Sequence, residues 1–367
     1  MKRLTTLALI AGLCTVVGLF LSSGLEDVAA AVVSAGWGAL IVVVARAVAV
    51  AWAGLGWFVI FPKVSRPTLR DCITLRFVRE GINTLLPVAQ VGGDFVGARL
   101  LTKRGVPGGI AGASMFVDLM TQAVTQFIFT VAGVALLVWL AGDGPIVRTV
   151  AGGLALAAPA LGAFYLIQRR SGHKVVQALV TRFAGSREWQ ALGAIDVLYA
   201  SLKRLYGQHL RVAGGIGIHL GGWLIGTIEV YVALHFMGYP VSVVEAVVIE
   251  SLAQAVRGAA FAVPGALGAQ EGGLIALCAI FGIPAEAALA LSLVKRLADL
   301  LVGVPGLFAW HALEGRSAVA EEAPEPRAEA GLLREIRIPV PVYGLASDLG
   351  AARIRNDDDL GDFKKCA

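Results

Sequence analysis

Polar side chains recur at helical spacing inside two apolar stretches of this chain. One stretch carries four of them at i, i+3, i+4 and i+7, and the other carries three at i, i+4 and i+7: Arg76, Arg79, Glu80 and Asn83, and Glu250, Gln254 and Arg257. Residues at these spacings share one face of a helix. An ionisable group at the centre of a membrane helix costs at least about 2.5 kcal/mol, so it normally faces a protein interior or a wet cavity. The two faces therefore predict a polar binding surface inside the protein.

Arg79 and Arg257 are the strongest candidates for binding a substrate. A guanidinium presents a planar fork of donors that matches phosphate oxygens, and only Arg79 has an acid, Glu80, beside it. Asp94 and Glu271 each begin the second half of a broken helix, where free backbone N–H groups favour a carboxylate. Helix capping and substrate contact both remain open for these two acids. The predicted substrate-binding residues are Arg76, Arg79, Asn83, Asp94, Gln254, Arg257 and Glu271.

Two more apolar helices carry polar stripes that should face inward. The stripes are Ser114, Asp118, Gln122 and Thr125 in one helix, and Ser292, Lys295, Arg296 and Asp299 in the other. Asp118 and Lys295 have opposite charges and are separated by 177 positions (295−118), the offset of an internal repeat, so they could pair in the interior. The alternative is that such pairs only hold helices together. The predicted ion-pair or coupling residues are Asp118, Lys295, Arg296 and Asp299.

The same offset aligns three other landmarks. Pro87, Asp94 and Gly105-Val106-Pro107 recur as Pro264, Glu271 and Gly282-Ile283-Pro284, each 177 positions later (264−87, 271−94, 284−107). The repeat units are residues 38–141 and 212–313, and one span at 146–168 separates them. An odd number of spans between the units makes the second unit enter from the opposite side of the membrane. Such inverted repeats with broken helices are typical of alternating-access transporters.

The composition is that of a membrane protein and excludes a soluble enzyme. Hydrophobic residues make up 57% of the 367 and charged residues 16%, whereas about 25% charged is usual for globular domains; the mean hydropathy is +0.76. Stretches long enough to span about 30 Å of hydrocarbon lie at 4–23, 38–61, 108–140, 146–168, 212–237 and 286–313. Two more, 68–104 and 241–283, are broken near Pro87 and Pro264. The predicted fold is an all-α polytopic membrane protein with six spans and two broken or re-entrant helix pairs.

Basic residues flanking the spans predict that the N-terminus is cytoplasmic, because Lys and Arg concentrate in inner loops. The first span is expected to be an anchor, with a cleaved signal peptide as the alternative. The basic loop 169–211 is predicted to hold an amphipathic interfacial helix drawn to anionic lipid. Residues 317–367 are predicted to be a disordered cytoplasmic tail, which leaves 1–316 as the transmembrane domain.

Motifs for catalysis, metals and cofactors are missing from the sequence. The four cysteines, Cys14, Cys72, Cys278 and Cys366, form no CxxC pair, and neither a zinc site nor a disulfide framework is indicated. We therefore expect no metal, no cofactor, no catalytic residue and no nucleic-acid partner.

The two proline-containing stretches carry a family resemblance. FVREGINTLLPVAQVGGDFVGARLL and its echo AVRGAAFAVPGALGAQEGG resemble the lysylphosphatidylglycerol synthase transmembrane-region, or flippase-like, family, and the first is similar to its hopanoid-biosynthesis-associated branch. The resemblance covers about residues 1–316. It implies an inner-membrane lipid translocator. Family members that also synthesise the aminoacylated lipid carry a separate cytosolic domain, for which the 51 residues after Arg316 are expected to be too few.

The leading functional hypothesis is a transporter of a hopanoid or an anionic phospholipid, with the head group held between the two breaks by Arg79, Asn83, Gln254 and Arg257. One alternative is an accessory subunit that scaffolds hopanoid-modifying enzymes, which would make hopanoid-pathway proteins its partners. Another is an integral-membrane lipid transferase that uses Asp94 or Glu271 as a base. The oligomeric state stays open.

Overall fold

The computed structural model describes residues 25–86, 91–142, 144–169, 172–174, 188–260 and 263–322, and every regular element in these ranges is helical. Residues 1–318 form one compact unit and 319–367 another. The α-helices are α1 (Leu25–Ile60), α2 (Leu69–Leu85), α3 (Gly92–Thr102), α4 (Gly108–Ala141), α5 (Pro145–Ile167), α6 (Glu188–Tyr206), α7 (His209–Phe236), α8 (Val243–Ala259), α9 (Ala269–Ile280) and α10 (Ala285–Glu322). Short 3₁₀ turns occur at Lys63–Ser65 and Pro264–Ala266.

Within the described ranges, four helices are long and apolar enough to cross a membrane: Ala29–Ile60, Gly108–Ala141, Val147–Ile167 and His209–Phe236. They correspond to four of the predicted spans and confirm an all-α polytopic membrane protein. α10 covers the predicted span 286–313, but Lys295, Arg296 and Asp299 interrupt its apolar character. The predicted span 4–23 lies outside the described residues.

Two predicted boundaries differ from the structure. α1 begins at Leu25 rather than at residue 38, and Gly36 interrupts it with φ 44° and ψ −124°, so the predicted start lies just after a kink. α10 continues to Glu322, past the predicted tail boundary at 316. The residues from 317 to 322 include two alanines and two glutamates, which favour helix. Pro324 disfavours helix at the residue before it. The tail beyond Glu322 lies outside the described residues.

Both predicted broken segments are pairs of shorter helices. α2 and α3 make the first pair, and α8 and α9 make the second. Each pair opens with a capped helix: the hydroxyl of Thr68 accepts from the N–H of Asp71 at 3.1 Å, and Ser242 and Glu245 cap reciprocally at 3.2 and 2.6 Å. The second break turns through Pro264–Ala266, where Gly265 has φ 64°. Pro87 lies outside the described residues.

α1 and α7, the equivalent first helices of the two repeats, pack antiparallel along their length. Arg46 contacts Glu229, the indole of Trp52 donates to the carbonyl of Ile218 at 2.7 Å, and Val59 lies against Gly214. Residue numbers rise along one helix as they fall along the other. Equivalent helices that run in opposite directions are what an inverted repeat requires.

The remaining long helices show the same symmetry. Gly133 of α4 packs on Ser251 of α8, and Gly81 of α2 packs on Gly303 of α10. A shift of 177 exchanges α4 with α10 and α2 with α8, and the two residue numbers sum to 384 in both contacting pairs. The two interfaces therefore share one antiparallel register around a pseudo-two-fold axis. Small residues at both sites let the helix backbones approach closely.

Replacing Gly81 with alanine should destabilise the protein by about 1–3 kcal/mol, the usual cost of overpacking. A Cβ at this position would overlap the carbonyl oxygen of Gly303, a backbone atom that cannot rotate away. The measurement is the thermal unfolding of detergent-purified protein. Gly217→Ala is the matched control, because Gly217 is also helical and has no atom within 4 Å of the added Cβ. Equal melting temperatures for the two variants would contradict the α2–α10 packing.

The amphipathic helix predicted in the 169–211 loop is present as α6, but its apolar side covers protein. Leu202 and Leu205 are buried against Ala113 and Val117 of α4, and Leu198 lies against Gly112. The sequence shows that this face is apolar, and it cannot show whether lipid or a neighbouring helix covers it. Leu198, Leu202 and Leu205 thus face protein, whereas Lys203 and Arg204 are exposed, and the interfacial position of this helix on anionic lipid stays a prediction.

Candidate functional site: a charged cavity on the pseudo-two-fold axis

A polar cavity opens where the two repeats meet. The volume of this cavity is about 270 Å³. Ala49 and Gly226, which are 177 positions apart, lie opposite each other in its wall, so the cavity lies on the pseudo-two-fold axis. Its ionisable and amide lining consists of Arg46, Arg76, Arg79, Glu80, Asn83, Asp94, Gln122, His219, Glu250, Gln254 and Arg257.

Six of the seven predicted substrate-binding residues line this one cavity. They are Arg76, Arg79, Asn83 and Asp94 from the first repeat and Gln254 and Arg257 from the second. Glu80 and Glu250 share their helix faces and line it too, as the helical spacing predicted. Glu271 does not line it, which corrects its place in the predicted set. Their role in binding a substrate stays a prediction.

Arg79 is the centre of the first-repeat cluster. Its side chain is 1% exposed and pairs with the carboxylates of both Asp94 and Asp118, the latter at 2.8 Å. Its guanidinium also lies over the ring of Trp57, 4.5 Å from the centroid. A Cβ at Gly97 would come within 2.8 Å of its Cγ, so the glycine leaves room for the arginine stem. The acid beside Arg79 in the sequence is Glu80, whereas in the structure its carboxylate partners come from α3 and α4.

The two acids at the helix breaks have different roles. Asp94 pairs with Arg79 and accepts from the amide of Asn83 at 2.8 Å, and α3 has no side-chain cap. Asn83 instead accepts from the N–H of Gly93 at 2.7 Å and so satisfies the start of α3. Glu271 does cap its helix, accepting from the N–H of Gly268 at 2.8 Å. The capping interpretation therefore holds for Glu271 and fails for Asp94.

Glu271 belongs to a cluster behind the second break. It pairs with Arg296 at 2.7 Å and accepts from the hydroxyl of Ser292 at 2.8 Å. Arg296 also donates to the carbonyl of Gly265 at 3.2 Å. These contacts fix the turn between α8 and α9. Arg296 forms an interior ion pair as predicted, and its partner is Glu271, the residue that caps α9.

The predicted pair between Asp118 and Lys295 does not form. Asp118 contacts Arg79, Arg76 and the imidazole of His219, the last at 3.0 Å. Lys295 instead pairs with Glu229 at 3.0 Å and Glu250 at 2.8 Å. Symmetry-equivalent residues meet only near a two-fold axis, and the axis passes close to Ala49 and Gly226. Asp118 and Lys295 lie away from it, so each takes the nearest opposite charge on a neighbouring helix.

A continuous chain of alternating charges crosses the second repeat. It runs Arg257, Asp299, Arg46, Glu229, Lys295, Glu250, with successive distances of 3.2, 3.2, 2.9, 3.0 and 2.8 Å. Gln254 extends it by donating to Glu250 at 2.8 Å. Four helices, α1, α7, α8 and α10, are thereby joined through buried ion pairs. Asp299 and Lys295 are interior ion-pair residues as predicted, with different partners.

Several lining groups keep hydrogen-bonding capacity within the described part of the chain. Arg76 Nε and Arg79 Nε and Nη1 are buried and have no acceptor there. Glu80 accepts only from the hydroxyl of Thr84, at 3.4 Å, and makes no ion pair there. The cavity thus offers N–H donors beside one carboxylate that forms no ion pair within 4 Å in the described ranges.

Sequence reasoning missed Arg46 and His219 as site residues. Arg46 links Glu229 to Asp299, and His219 connects α7 to Asp118 on α4. Arg46 is the single ionisable residue of the predicted span 38–61, and His219 shares the predicted span 212–237 with Glu229 and His235. Intramembrane ionisable residues are functional candidates on that ground alone. The search for repeated spacings passed over them because neither belongs to a stripe.

The fold and the cavity define a polytopic helical membrane protein with a buried polar site built from an inverted repeat. Residues 5–306 match the family described as the lysylphosphatidylglycerol synthase TM region, and the chain therefore belongs to that family. It is a multi-pass membrane protein of a family in lipid metabolism or transport. No curated protein and no solved structure matches it.

Proposed function

We propose that the protein is a lipid transporter that moves a polar head group through the charged cavity by alternating access. The observation that carries this proposal is that one cavity on the pseudo-two-fold axis draws arginines from both repeats and leaves buried donors of Arg76 and Arg79 without acceptors. Orphaned buried donors are costly. A ligand that supplies oxygen acceptors relieves that cost.

The electrostatics suit a polar head group. The cations of the cavity are held by carboxylates, as in the contacts of Arg79 with Asp94 and Asp118, so the guanidinium groups keep fixed positions before a ligand arrives. Prior fixation reduces the entropy that binding must overcome. Because carboxylates accompany the arginines, the head group can leave the site without leaving a cluster of like charges unpaired.

The substrate is proposed to be a hopanoid or an anionic phospholipid. A hydroxyl both donates and accepts, whereas a phosphate only accepts. The donors of Arg76 together with the carboxylate of Glu80 match a polyol such as a hopanoid head, and the donors alone match a phosphate. The tails are proposed to stay in the bilayer while the head crosses.

Alternating access is supported by the antiparallel pairing of equivalent helices. In an inverted repeat the two units can exchange conformations and present one site to either side. We place the protein in the bacterial inner membrane with both termini cytoplasmic, and propose that it acts without a cofactor and is not itself an enzyme.

Flipping in proteoliposomes tests the proposal. We expect Arg257→Ala and Arg76→Ala each to reduce movement of the transported reporter by at least tenfold, since a hydrogen bond to a charged group contributes about 1.5–3 kcal/mol. Fluorescent hopanoid and anionic phospholipid reporters should be compared. Arg70→Ala is the matched control, because Arg70 is exposed on the same helix as Arg76 and lies outside the cavity.

The outcomes separate the hypotheses. Loss in the cavity variants with normal activity in Arg70→Ala supports transport and names the lipid class. Unchanged flipping in both cavity variants contradicts the site assignment. No movement of any reporter by the wild-type protein would favour the accessory-subunit hypothesis, which deletion of 317–367 followed by partner capture then tests.

A further inference from the structure

A second cavity lies between α4, α5, α6 and α7, on a different side of the α4–α7 packing. It has a volume of about 300 Å³, at the lower end of the ~300–1,000 Å³ of ligand pockets. α4 lines it with Met120 and Val124, whereas Leu119 and Gln122 of the same helix line the central cavity. The two cavities share no lining residue. Neither the proposed transport function nor the ion-pair networks account for the second one.

The lining of this cavity has an apolar part and a polar part. Met120, Val124, Val212 and Ile216 supply an aliphatic groove. In the polar part, the hydroxyl of Tyr206 donates to the side-chain carbonyl of Gln168 at 2.7 Å, and the rings of Tyr165 and Tyr206 meet edge to face at 5.5 Å. An aliphatic groove that ends at tyrosines is the lining expected where a protein meets the boundary between acyl chains and head groups.

Two exposed nitrogen-bearing side chains complete the polar part. Arg169 is exposed, its guanidinium lies over the ring of Tyr165 at 5.0 Å from the centroid, and it makes no ion pair with any residue in the described ranges. His209 also lines the cavity and is exposed. Both belong to the loop region that the distribution of basic residues places on the cytoplasmic side, where anionic lipids are concentrated.

We propose that this pocket binds a glycerophospholipid with an anionic head group, with an acyl chain in the aliphatic groove and the phosphate at Arg169 and His209. Lipid tails solvate an acyl chain as well as the groove does, so the groove contributes a fitting shape rather than hydrophobic free energy. The basic side chains supply the preference for an anionic head group. The bound lipid fills the space between α4 and α7 and stays in place while the central cavity works.

Native mass spectrometry of the full chain in detergent tests the site. Phosphatidylglycerol and phosphatidylcholine with the same acyl chains are titrated in parallel. We expect the wild-type protein to retain one phosphatidylglycerol in preference to phosphatidylcholine. Arg169→Ala should weaken phosphatidylglycerol binding by about fivefold, the effect of one basic residue near a charged membrane surface. Lys203→Ala is the matched control, an exposed basic residue outside the pocket.

Two more variants distinguish binding in this pocket from binding in the central cavity. Ala213→Trp should fill the groove and abolish retention with little effect on folding, because Ala213 lines the pocket and is exposed. Arg257→Ala, in the central cavity, should leave retention intact, so failure of the transport proposal would not affect this outcome. Equal retention of both lipids, or unchanged affinity in both Arg169→Ala and Ala213→Trp, would overturn the proposal.

Discussion

An Arg79→Met protein should lose most of its transport activity and about 3–5 kcal/mol of stability, the cost of removing one partner from a buried ion pair. Arg79 is 1% exposed and holds both Asp94 and Asp118. Asp118 keeps Arg76 and His219, but Asp94 keeps only the amide of Asn83 among its described partners. Flipping in proteoliposomes and thermal unfolding in detergent measure the two effects.

The double variant Arg79→Met/Asp94→Asn separates stability from function. It removes the uncompensated charge together with the cation, and replacing a whole buried pair by neutral groups is often close to neutral. We expect most of the lost stability to return and transport to stay low, because the donors for the head group are gone. Transport that recovers together with stability would show that Arg79 only holds helices together.

Lys295→Met should destabilise the protein by a similar amount, about 3–5 kcal/mol. The ammonium group of Lys295 contacts Glu229 and Glu250, both of which are almost fully buried. Glu229 retains Arg46, whereas Glu250 retains only the amide of Gln254 in the described structure. Thermal unfolding of the detergent-purified variant is the measurement.

Two double variants, each with Lys295→Met and one neutralised acid, test which carboxylate depends on Lys295. Lys295→Met/Glu250→Gln should recover most of the loss, because it neutralises the acid left with no cation. Lys295→Met/Glu229→Gln should recover less, since it leaves Glu250 without a cation and also removes the negative charge that pairs with Arg46. Equal rescue by the two double variants would contradict the chain of charges that joins α1, α7, α8 and α10.

The buried ion pairs around the central cavity are more than a membrane protein needs for stability. A membrane interior penalises every unpaired charge, and this chain nevertheless buries lysine, arginine, aspartate and glutamate around one cavity. Replacing such pairs by apolar residues would often leave stability unchanged. Stability alone therefore does not explain these networks, and the head-group site that we propose would give them a function.

The sequence alone determined the class of protein, most helix positions, both breaks and the inward faces of the helices. These features follow from local hydropathy and from the 3.6-residue period, which the chain carries in short segments. The 177-residue offset also predicted that the second repeat is inverted, and the equivalent helices α1 and α7 accordingly run antiparallel. The same periodicity indicated that Arg76 and Arg79 share a face with Asn83, and all three line the cavity.

Only the tertiary structure decided which charges pair. The repeat offset proposed Asp118 with Lys295, but an ion pair needs atoms within about 4 Å, and equivalent residues come that close only near the two-fold axis. Arg46 and His219 entered the site for the same reason: α1 and α7 lie on the axis and bring them to acids from distant parts of the sequence. A one-dimensional offset identifies equivalent positions, and the packing of the helices decides which of them touch.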